Sequence, residues 1–191
     1  FEVEGDPHAS FEDAARRRDF TVNAILCDPL SGEIIDPFGG RQDLNNRVLK
    51  MVDAAHFAED SLRVLRACQF AARFEMTVDE KTAELCRQID LSDLPRERIW
   101  GEWEKLLLKA VQPYIGIETA QNLKVLIKLF PVVDRVVRRR RRNQLCNVLF
   151  CAACERNQLP AEKQVALMLA AIGVFLNLQD LNQFLEQLNI Y

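Results

Sequence analysis

The sequence lacks several features that reveal an enzyme's chemistry directly. Neither glycine-rich phosphate-binding pattern, GxxxxGK or GxGxxG, occurs in its 191 residues. Histidine is scarce, and the two present, His8 and His56, stand at no recognisable spacing from a serine or cysteine partner. The sequence therefore offers no candidate nucleophile, and we predict no catalytic residue in this chain.

Long apolar runs and an excess of basic charge are also missing. The longest apolar run, VALMLAAIGVFLNL at 165–178, contains Asn177 and is shorter than the roughly 18 to 20 residues that span a bilayer. It predicts a buried helix and no membrane partner. With 25 basic and 28 acidic side chains the formal net charge is −3, so binding of nucleic acid must depend on local clusters of arginine and lysine.

The six cysteines do not suggest a disulfide scaffold, because they lie within apolar helical patterns and no segment resembles a signal peptide. We therefore expect a reduced, cytoplasmic protein. Cys151 and Cys154 form a CAAC motif, but no histidine lies near it and the segment has a helical pattern. Zinc binding and thiol redox chemistry are disfavoured, and we predict no metal ligands in this chain.

The pattern of what is present changes along the chain. In residues 1–55, the runs FTVNAILCD and EIIDPF, joined by the turn sequence DPLSG, predict a hairpin. From Glu59 onward, apolar residues recur at spacings of three and four, which predicts helices. After a first helix beginning near Glu59, the predicted helices are 79–89, 96–111, 118–130, 143–155, 161–177 and 179–189. The fold class is therefore α+β and mainly α.

Arg17, Arg18 and Asp19 stand directly before the first predicted strand. Guanidinium groups fit phosphate oxygens, and a neighbouring carboxylate accepts hydrogen bonds from sugar hydroxyls. Because side chains alternate along a strand, Thr21 and Asn23 would share a face with Asp19, and together they would suit a ribose. The alternative is a surface strand whose arginines pair with the preceding acids, and spacing alone favours this alternative.

The segment EDSLRVLRACQF, 59–70, places Asp60, Arg63 and Arg66 together on the polar face of a helix. The carboxylate of Asp60 and the guanidinium of Arg63 could lie edge to edge and imitate the hydrogen-bonding edge of a base. Such a surface would select a nucleobase by its donors and acceptors. The alternative is an ordinary ion pair within the helix, which the motif in isolation favours.

Two further charged segments follow. PRERIWGEWEK, 95–105, predicts a helix with charged pairs along its side, and we interpret it as structural bracing. Five consecutive arginines cover every side of a helix, so RVVRRRRRNQ, 135–144, predicts a loop, a helix end or an exposed turn. A solvated stretch and a phosphate-contacting patch both explain it. The RNA-binding candidates are Arg138, Arg139, Arg140, Arg141 and Arg142.

Taken in order, the blocks RRDFTVNAI, DPFGGRQDL, EDSLRVLRACQFAARF and RERIWGEWEKLLL resemble the class II nucleotidyltransferases, which comprise the CCA-adding tRNA nucleotidyltransferases and the bacterial poly(A) polymerases. The resemblance covers about residues 12 to 110. It implies the end of a nucleotidyltransferase head sheet at 1–55, a helical neck at 56–112, and a helical body at 113–191 that is a candidate for binding RNA. The residues of ERIWGEWEK and the spacing of DPFGGRQDL look closer to those of the CCA-adding group.

The resemblance also implies roles for individual residues. The incoming nucleotide would be bound through its triphosphate, ribose and base by Arg17, Arg18, Asp19, Asn23, Asp60, Arg63 and Arg66. The connection between head and neck corresponds to Asp36, Gly39, Gly40, Asp43 and Leu44. The block that braces the neck helix corresponds to Glu97, Arg98, Glu102 and Lys105. Two departures concern the neck helix, where Ser61 replaces the usual proline or alanine and Gln69 replaces the usual arginine.

In the family, two aspartates upstream of the RRD block hold magnesium ions. The chain begins at Phe1 without such a segment, so we expect a fragment that is inactive alone, although Mg²⁺ is implied for the complete gene product. The function implied is addition of CCA to tRNA from CTP and ATP. The alternatives are a poly(A) polymerase acting on another RNA 3′ end and a noncatalytic helical module that binds RNA. The sequence does not indicate an oligomeric state.

Overall fold

The computed structural model describes residues 10–138 and 142–188. Within these ranges the chain forms twelve α-helices and four two-residue strands. The helices are α1 (Phe11–Arg16), α2 (Gly40–Asn45), α3 (Ala54–Ala58), α4 (Leu62–Phe74), α5 (Glu80–Gln88), α6 (Arg96–Lys109), α7 (Pro113–Asn122), α8 (Val125–Leu129), α9 (Pro131–Arg138), α10 (Arg142–Arg156), α11 (Ala161–Gly173) and α12 (Leu178–Gln187). The strands are β1 (Leu26–Cys27), β2 (Ile34–Ile35), β3 (Val48–Leu49) and β4 (Thr77–Val78). The predicted class, α+β and mainly α, is confirmed.

The prediction of a continuous strand over FTVNAILCD is wrong. Thr21–Asn23 form a 3₁₀ turn, and β1 pairs with β2 only from Leu26 opposite Ile35 to Cys27 opposite Ile34. Burial explains the turn, because Phe20, Thr21 and Ala24 are all buried, and this spacing is helical rather than alternating. The predicted hairpin is present, but it is shorter than the sequence pattern indicated.

The segment after the hairpin is fixed by hydrogen bonds and close packing. The Asp36 carboxylate accepts from the backbone N–H of Gly40 at 2.7 Å and of Arg41 at 3.0 Å, which caps the start of α2. Gly39 has a φ of 72°, a conformation that favours glycine. A Cβ on Gly40 would lie 2.1 Å from the carbonyl oxygen of Thr21. The two glycines therefore let α2 dock directly on the 3₁₀ turn.

Helix α4 is the centre of the fold and packs between α6 and α7. Its buried side chains are Val64, Leu65, Ala67, Cys68, Gln69, Ala71 and Ala72. Gly116 lies at the contact between the helices, and a Cβ there would meet a Leu106 side-chain carbon at 2.5 Å and the Ala72 Cβ at 3.0 Å. The absence of a side chain at Gly116 therefore allows α7 to approach both α4 and α6 closely.

The later helices extend the same core. Trp103, Phe130 and Phe184 form an aromatic series in which successive ring centroids lie 4.6 and 5.7 Å apart. The predicted helix 118–130 is interrupted at Lys124, whose φ is 62°, so the chain forms α7 and α8 instead. None of the helices in the described ranges has the length and apolar character to cross a membrane. The division into head, neck and body stays a prediction.

Candidate functional site

Asp19 is the buried carboxylate of the RRD block, with 5% of its surface exposed. It accepts hydrogen bonds from the backbone N–H of Phe20 at 2.9 Å, from Asn23 Nδ2 at 3.0 Å and from Arg66 Nε at 2.6 Å. Asn23 and Asp19 therefore lie together as the sequence predicts, although a 3₁₀ turn brings them together rather than a strand. Thr21 points elsewhere, since its hydroxyl donates to Asp43 at 2.7 Å.

The two arginines of the same block have a different environment. Arg17 and Arg18 are exposed, and neither guanidinium makes a hydrogen bond or an ion pair within the described ranges. The expected pairing with the preceding acids is made instead by Arg16, whose Nη2 lies 2.8 Å from Glu12 Oε1. Two adjacent exposed guanidinium groups can receive an anion such as a phosphate.

Arg63 joins the start of α4 to the RRD block. Its Nη1 donates to the carbonyl of His56 at 2.6 Å, and its Nη2 donates to the carbonyl of Arg17 at 2.8 Å. Arg66, one turn later, completes the connection through Asp19. A guanidinium has five N–H donors, so Arg63 keeps donors beyond the two used here.

The expected edge-to-edge contact between Asp60 and Arg63 is wrong for this structure. Asp60 lies two residues before α4 and accepts from the N–H of Leu62 at 3.2 Å. Its carboxylate pairs with Arg98 Nη2 from α6, at 3.2 and 3.3 Å. The reason is that Arg63 is directed toward the two backbone carbonyls. The Asp60 side chain remains 19% exposed, so solvent and ligands can reach it.

Of the residues in α6 that were predicted to brace α4, Arg98 contacts the start of α4 directly, through Asp60. Arg98 contacts Asp60, whereas Glu102 is 4% exposed and pairs with Lys105 at 2.8 Å on the same helix. Glu97 is exposed, and no contact of its side chain links it to α4 within the described ranges. The connection residues Asp36, Gly39, Gly40 and Asp43 hold α2 against the 3₁₀ turn, as described above, and so position the block indirectly.

Two contacts near the site were not anticipated from the sequence. The hydroxyl of Ser61 donates to the carboxylate of Asp93, at 2.9 Å from Oδ1 and 3.2 Å from Oδ2. Asp53 caps α3, accepting from the N–H of His56 at 3.0 Å, and this hydrogen bond is the main cause that lowers the pKa of Asp53. The cap by Asp53 had a recognisable sequence signal, an aspartate before a short helix. The contact between Ser61 and Asp93 had no such signal, because Asp93 lies in a loop 32 residues along the chain.

The arginine run lies only partly within the described residues. Arg138 pairs with the buried Asp134 at 2.6 Å, and Arg142 pairs with Glu118 at 2.6 Å. The Arg142–Glu118 contact also raises the pKa of the Arg142 guanidinium. The other three candidates, Arg139 to Arg141, lie outside the described residues. The two arginines at the ends of the run therefore have structural partners, and RNA binding by this run stays a prediction.

The magnesium implied by the resemblance does not fit the side chains in the described ranges. No three histidine, cysteine, aspartate or glutamate side chains there converge as a metal site requires. The buried carboxylate of the site, Asp19, is already engaged by three donors.

Comparisons with known proteins show the family of the chain. A family model described as the poly(A) polymerase head domain matches residues 3–50. The "Multifunctional CCA protein" of Haemophilus ducreyi is 41% identical over 143 residues, covering 71% of this chain and 34% of that protein. The chain thus spans about a third of the length of this curated relative.

Solved structures show the same fold over nearly the whole chain. One is a tRNA nucleotidyltransferase complexed with a primer tRNA and an incoming ATP analog, with a TM-score of 0.73 and 26% identity, covering 98% of this chain and 56% of that one. Another is a CCA-adding enzyme with CTP, with a TM-score of 0.69 and 25% identity, covering 95% of this chain and 44% of that one.

Proposed function

Because the chain belongs to the class II tRNA nucleotidyltransferase and poly(A) polymerase family, we propose that the complete gene product adds CCA to the 3′ end of tRNA from CTP and ATP. In this proposal the described residues recognise the incoming nucleotide and do not perform the transfer step. The cytoplasmic location predicted from the cysteines stays a prediction.

One observation carries the proposal: Arg63 contacts the carbonyl of Arg17 at 2.8 Å, so the start of α4 lies against the RRD block. A nucleotide whose phosphates contact the exposed Arg17 and Arg18 would therefore have its base near Asp60 and Arg63. In this arrangement the base and the phosphates are read by two adjacent segments of the chain. The similarity to structures with CTP and with an ATP analog supports this reading.

The chemistry of the two bases explains why a carboxylate and a guanidinium suit this task. Cytosine and adenine both carry an exocyclic amine, whereas uracil and guanine carry a carbonyl at the equivalent position. The Asp60 carboxylate accepts from the amine, and a free N–H of Arg63 donates to the neighbouring ring nitrogen. Uracil or guanine would bring its carbonyl oxygen against the carboxylate and leave polar groups unpaired, which is strongly unfavourable.

The phosphate contacts follow from charge and exposure. Arg17 and Arg18 present planar forks that match phosphate oxygens two at a time. Asp19 is less suited to a direct contact than the sequence indicates, because three protein donors already surround it. We assign to Asp19 and Arg66 the role of holding the 3₁₀ turn against α4. Asn23 is exposed, and we assign it to direct contact with the nucleotide.

The test compares nucleotide selection in the complete gene product and in its Asp60→Asn variant. An amide presents a donor as well as an acceptor, so we expect the preference for CTP and ATP over UTP to fall by about tenfold. Asp28→Asn is the matched control, because the Asp28 carboxylate holds the hairpin turn by accepting from the hydroxyl of Ser31 and the N–H of Leu30. An unchanged preference in Asp60→Asn, with lower stability alone, would contradict the proposal.

A poly(A) polymerase is the second candidate, because the matching family model is described by that activity. The two are distinguished by supplying the complete gene product with a tRNA that lacks its 3′ CCA. Incorporation of CTP followed by ATP supports the first proposal, and incorporation of ATP alone on varied RNA ends supports the second. RNA binding that falls steeply with salt but shows no nucleotide preference would indicate the noncatalytic module.

A further inference from the structure

We propose that Asp93 is a positioning residue that fixes the first turn of α4 and thereby orients Asp60 for base selection. This inference rests on the proposed function. Its basis is the hydrogen bond from the Ser61 hydroxyl to Asp93, at 2.9 and 3.2 Å, which joins the residue next to Asp60 to the loop between α5 and α6.

The conformation of Ser61 shows why this contact matters for the helix start. A serine at this position usually accepts a hydrogen bond from the helix backbone through its own side chain. Ser61 makes no such capping bond, and its backbone is already helical at φ −56° and ψ −23°. Its hydroxyl points away from the helix to Asp93, and only 7% of the residue is exposed. The first turn is therefore held from outside by Asp93, in addition to the hydrogen bond that the Asp60 carboxylate accepts from the N–H of Leu62 at 3.2 Å.

The backbone of this turn carries Asp60 with it. The N–H of Arg63 donates to the carbonyl of Asp60 at 3.0 Å, and the N–H of Val64 donates to the carbonyl of Ser61 at 3.2 Å. Asp60 is thus part of the turn that Ser61 anchors. The Asp60 carboxylate also contacts the region that follows Asp93. It forms an ion pair with Arg98 in α6, five residues after Asp93.

The two contacts have different functions. Arg98 acts on the Asp60 carboxylate itself, through an ion pair at 3.2 Å. Asp93 instead fixes the backbone that carries the carboxylate. Since hydrogen-bond selection between bases requires an orientation held within narrow limits, loss of the backbone anchor should relax selection without removing the Asp60 carboxylate.

The test uses the complete gene product with Asp93→Ala, Ser61→Ala and the double variant. Each single change should reduce the preference for CTP and ATP over UTP by about fivefold, and the double variant should lose no more than either single one. Ser61→Thr keeps a hydroxyl and should restore most of the preference. Asp90→Ala is the matched control, since Asp90 lies in the same loop and its side chain accepts hydrogen bonds from the N–H and the hydroxyl of Ser92.

A structural measurement separates this inference from the proposed function. Hydrogen exchange at the amides of Arg63 and Val64 should accelerate about fivefold in Asp93→Ala and remain unchanged in Asp90→Ala. Unchanged exchange, or faster exchange with an unchanged nucleotide preference, would overturn the role of Asp93. If the unaltered protein adds neither CTP nor ATP, the proposed function fails and the role in base selection fails with it.

Discussion

The Asp19 carboxylate lies in a place that water hardly reaches, and three donors satisfy its oxygens. The Arg66 guanidinium supplies the opposite charge, and Phe20 and Asn23 supply neutral N–H groups. A buried carboxylate that loses its cation is costly, whereas a pair removed from both sides costs less. The pair therefore contributes more to defining how the turn meets α4 than to total stability.

A double-mutant cycle checks this account of the Asp19–Arg66 pair. Arg66→Met should lower the free energy of unfolding by about 3 kcal/mol, because it leaves the Asp19 carboxylate buried without a cation. In an Asp19→Asn background the same change should cost about 1 kcal/mol or less. Urea denaturation measures both values. Equal costs in the two backgrounds would show that the pair is not coupled.

Asp53 makes the stability of the fold depend on pH in the acid range. Its pKa lies below the ordinary value of 3.8, first because the N–H of His56 donates to it and then because of the His56 side chain. A lowered folded-state pKa stabilises the fold fully above pH 3.8 and less as the pH falls toward the folded-state pKa. Asp53→Asn should therefore destabilise the protein above this pH and have a smaller effect well below it. Urea midpoints measured across this range test the sign, and a larger effect in acid would contradict it.

At the scale of secondary-structure elements, the junction between α2 and the 3₁₀ turn depends on glycine. Gly40 is buried and lies against backbone atoms that cannot move aside as a flexible side chain would. Gly39 instead has open space around it and is required for its positive φ. The two adjacent glycines thus satisfy separate demands, one for space and one for conformation.

The Gly40→Ala variant tests the demand for space. With its Cβ 2.1 Å from the Thr21 carbonyl oxygen, the new methyl group should push α2 from the turn and lower the free energy of unfolding by about 2 to 3 kcal/mol. Gly101→Ala is the control, because a Cβ on Gly101 in α6 would meet nothing within 4 Å. Denaturation curves for both variants decide the matter, and a Gly40→Ala protein as stable as Gly101→Ala would refute the packing argument.

Across the whole molecule, one hydrophobic core extends from Phe20 to Leu188 and includes residues of each predicted unit. Helix α4 connects these regions, since its start contacts the RRD block and its length packs on α6 and α7. Changes in the later helices can therefore reach the candidate site through packing. The net charge of −3 gives no overall attraction for RNA, so any RNA contact must be local.

The arginine run, residues 138–142, leads to a prediction about RNA affinity and its dependence on salt. If it contacts RNA, replacing Arg139 to Arg141 with serine should lower RNA affinity and reduce the slope of affinity against salt by about 1 for each lost phosphate contact. Arg138 and Arg142 remain unchanged in this variant, which preserves their ion pairs with Asp134 and Glu118. Binding measured over a series of salt concentrations gives the slope. The same affinity and slope as the unaltered protein would indicate a solvated segment.

The sequence by itself determined the fold class, the central helix and the family, because apolar spacing and ordered motifs are local properties that tertiary contacts seldom reverse. It also predicted a set of residues for the candidate site, although not Asp93. Only the tertiary structure decided their partners: Asp60 pairs with Arg98 rather than Arg63, and Thr21 turns toward Asp43. The physical reason is that a charged side chain finds its lowest free energy among groups from distant segments, and their approach depends on packing that no local pattern records.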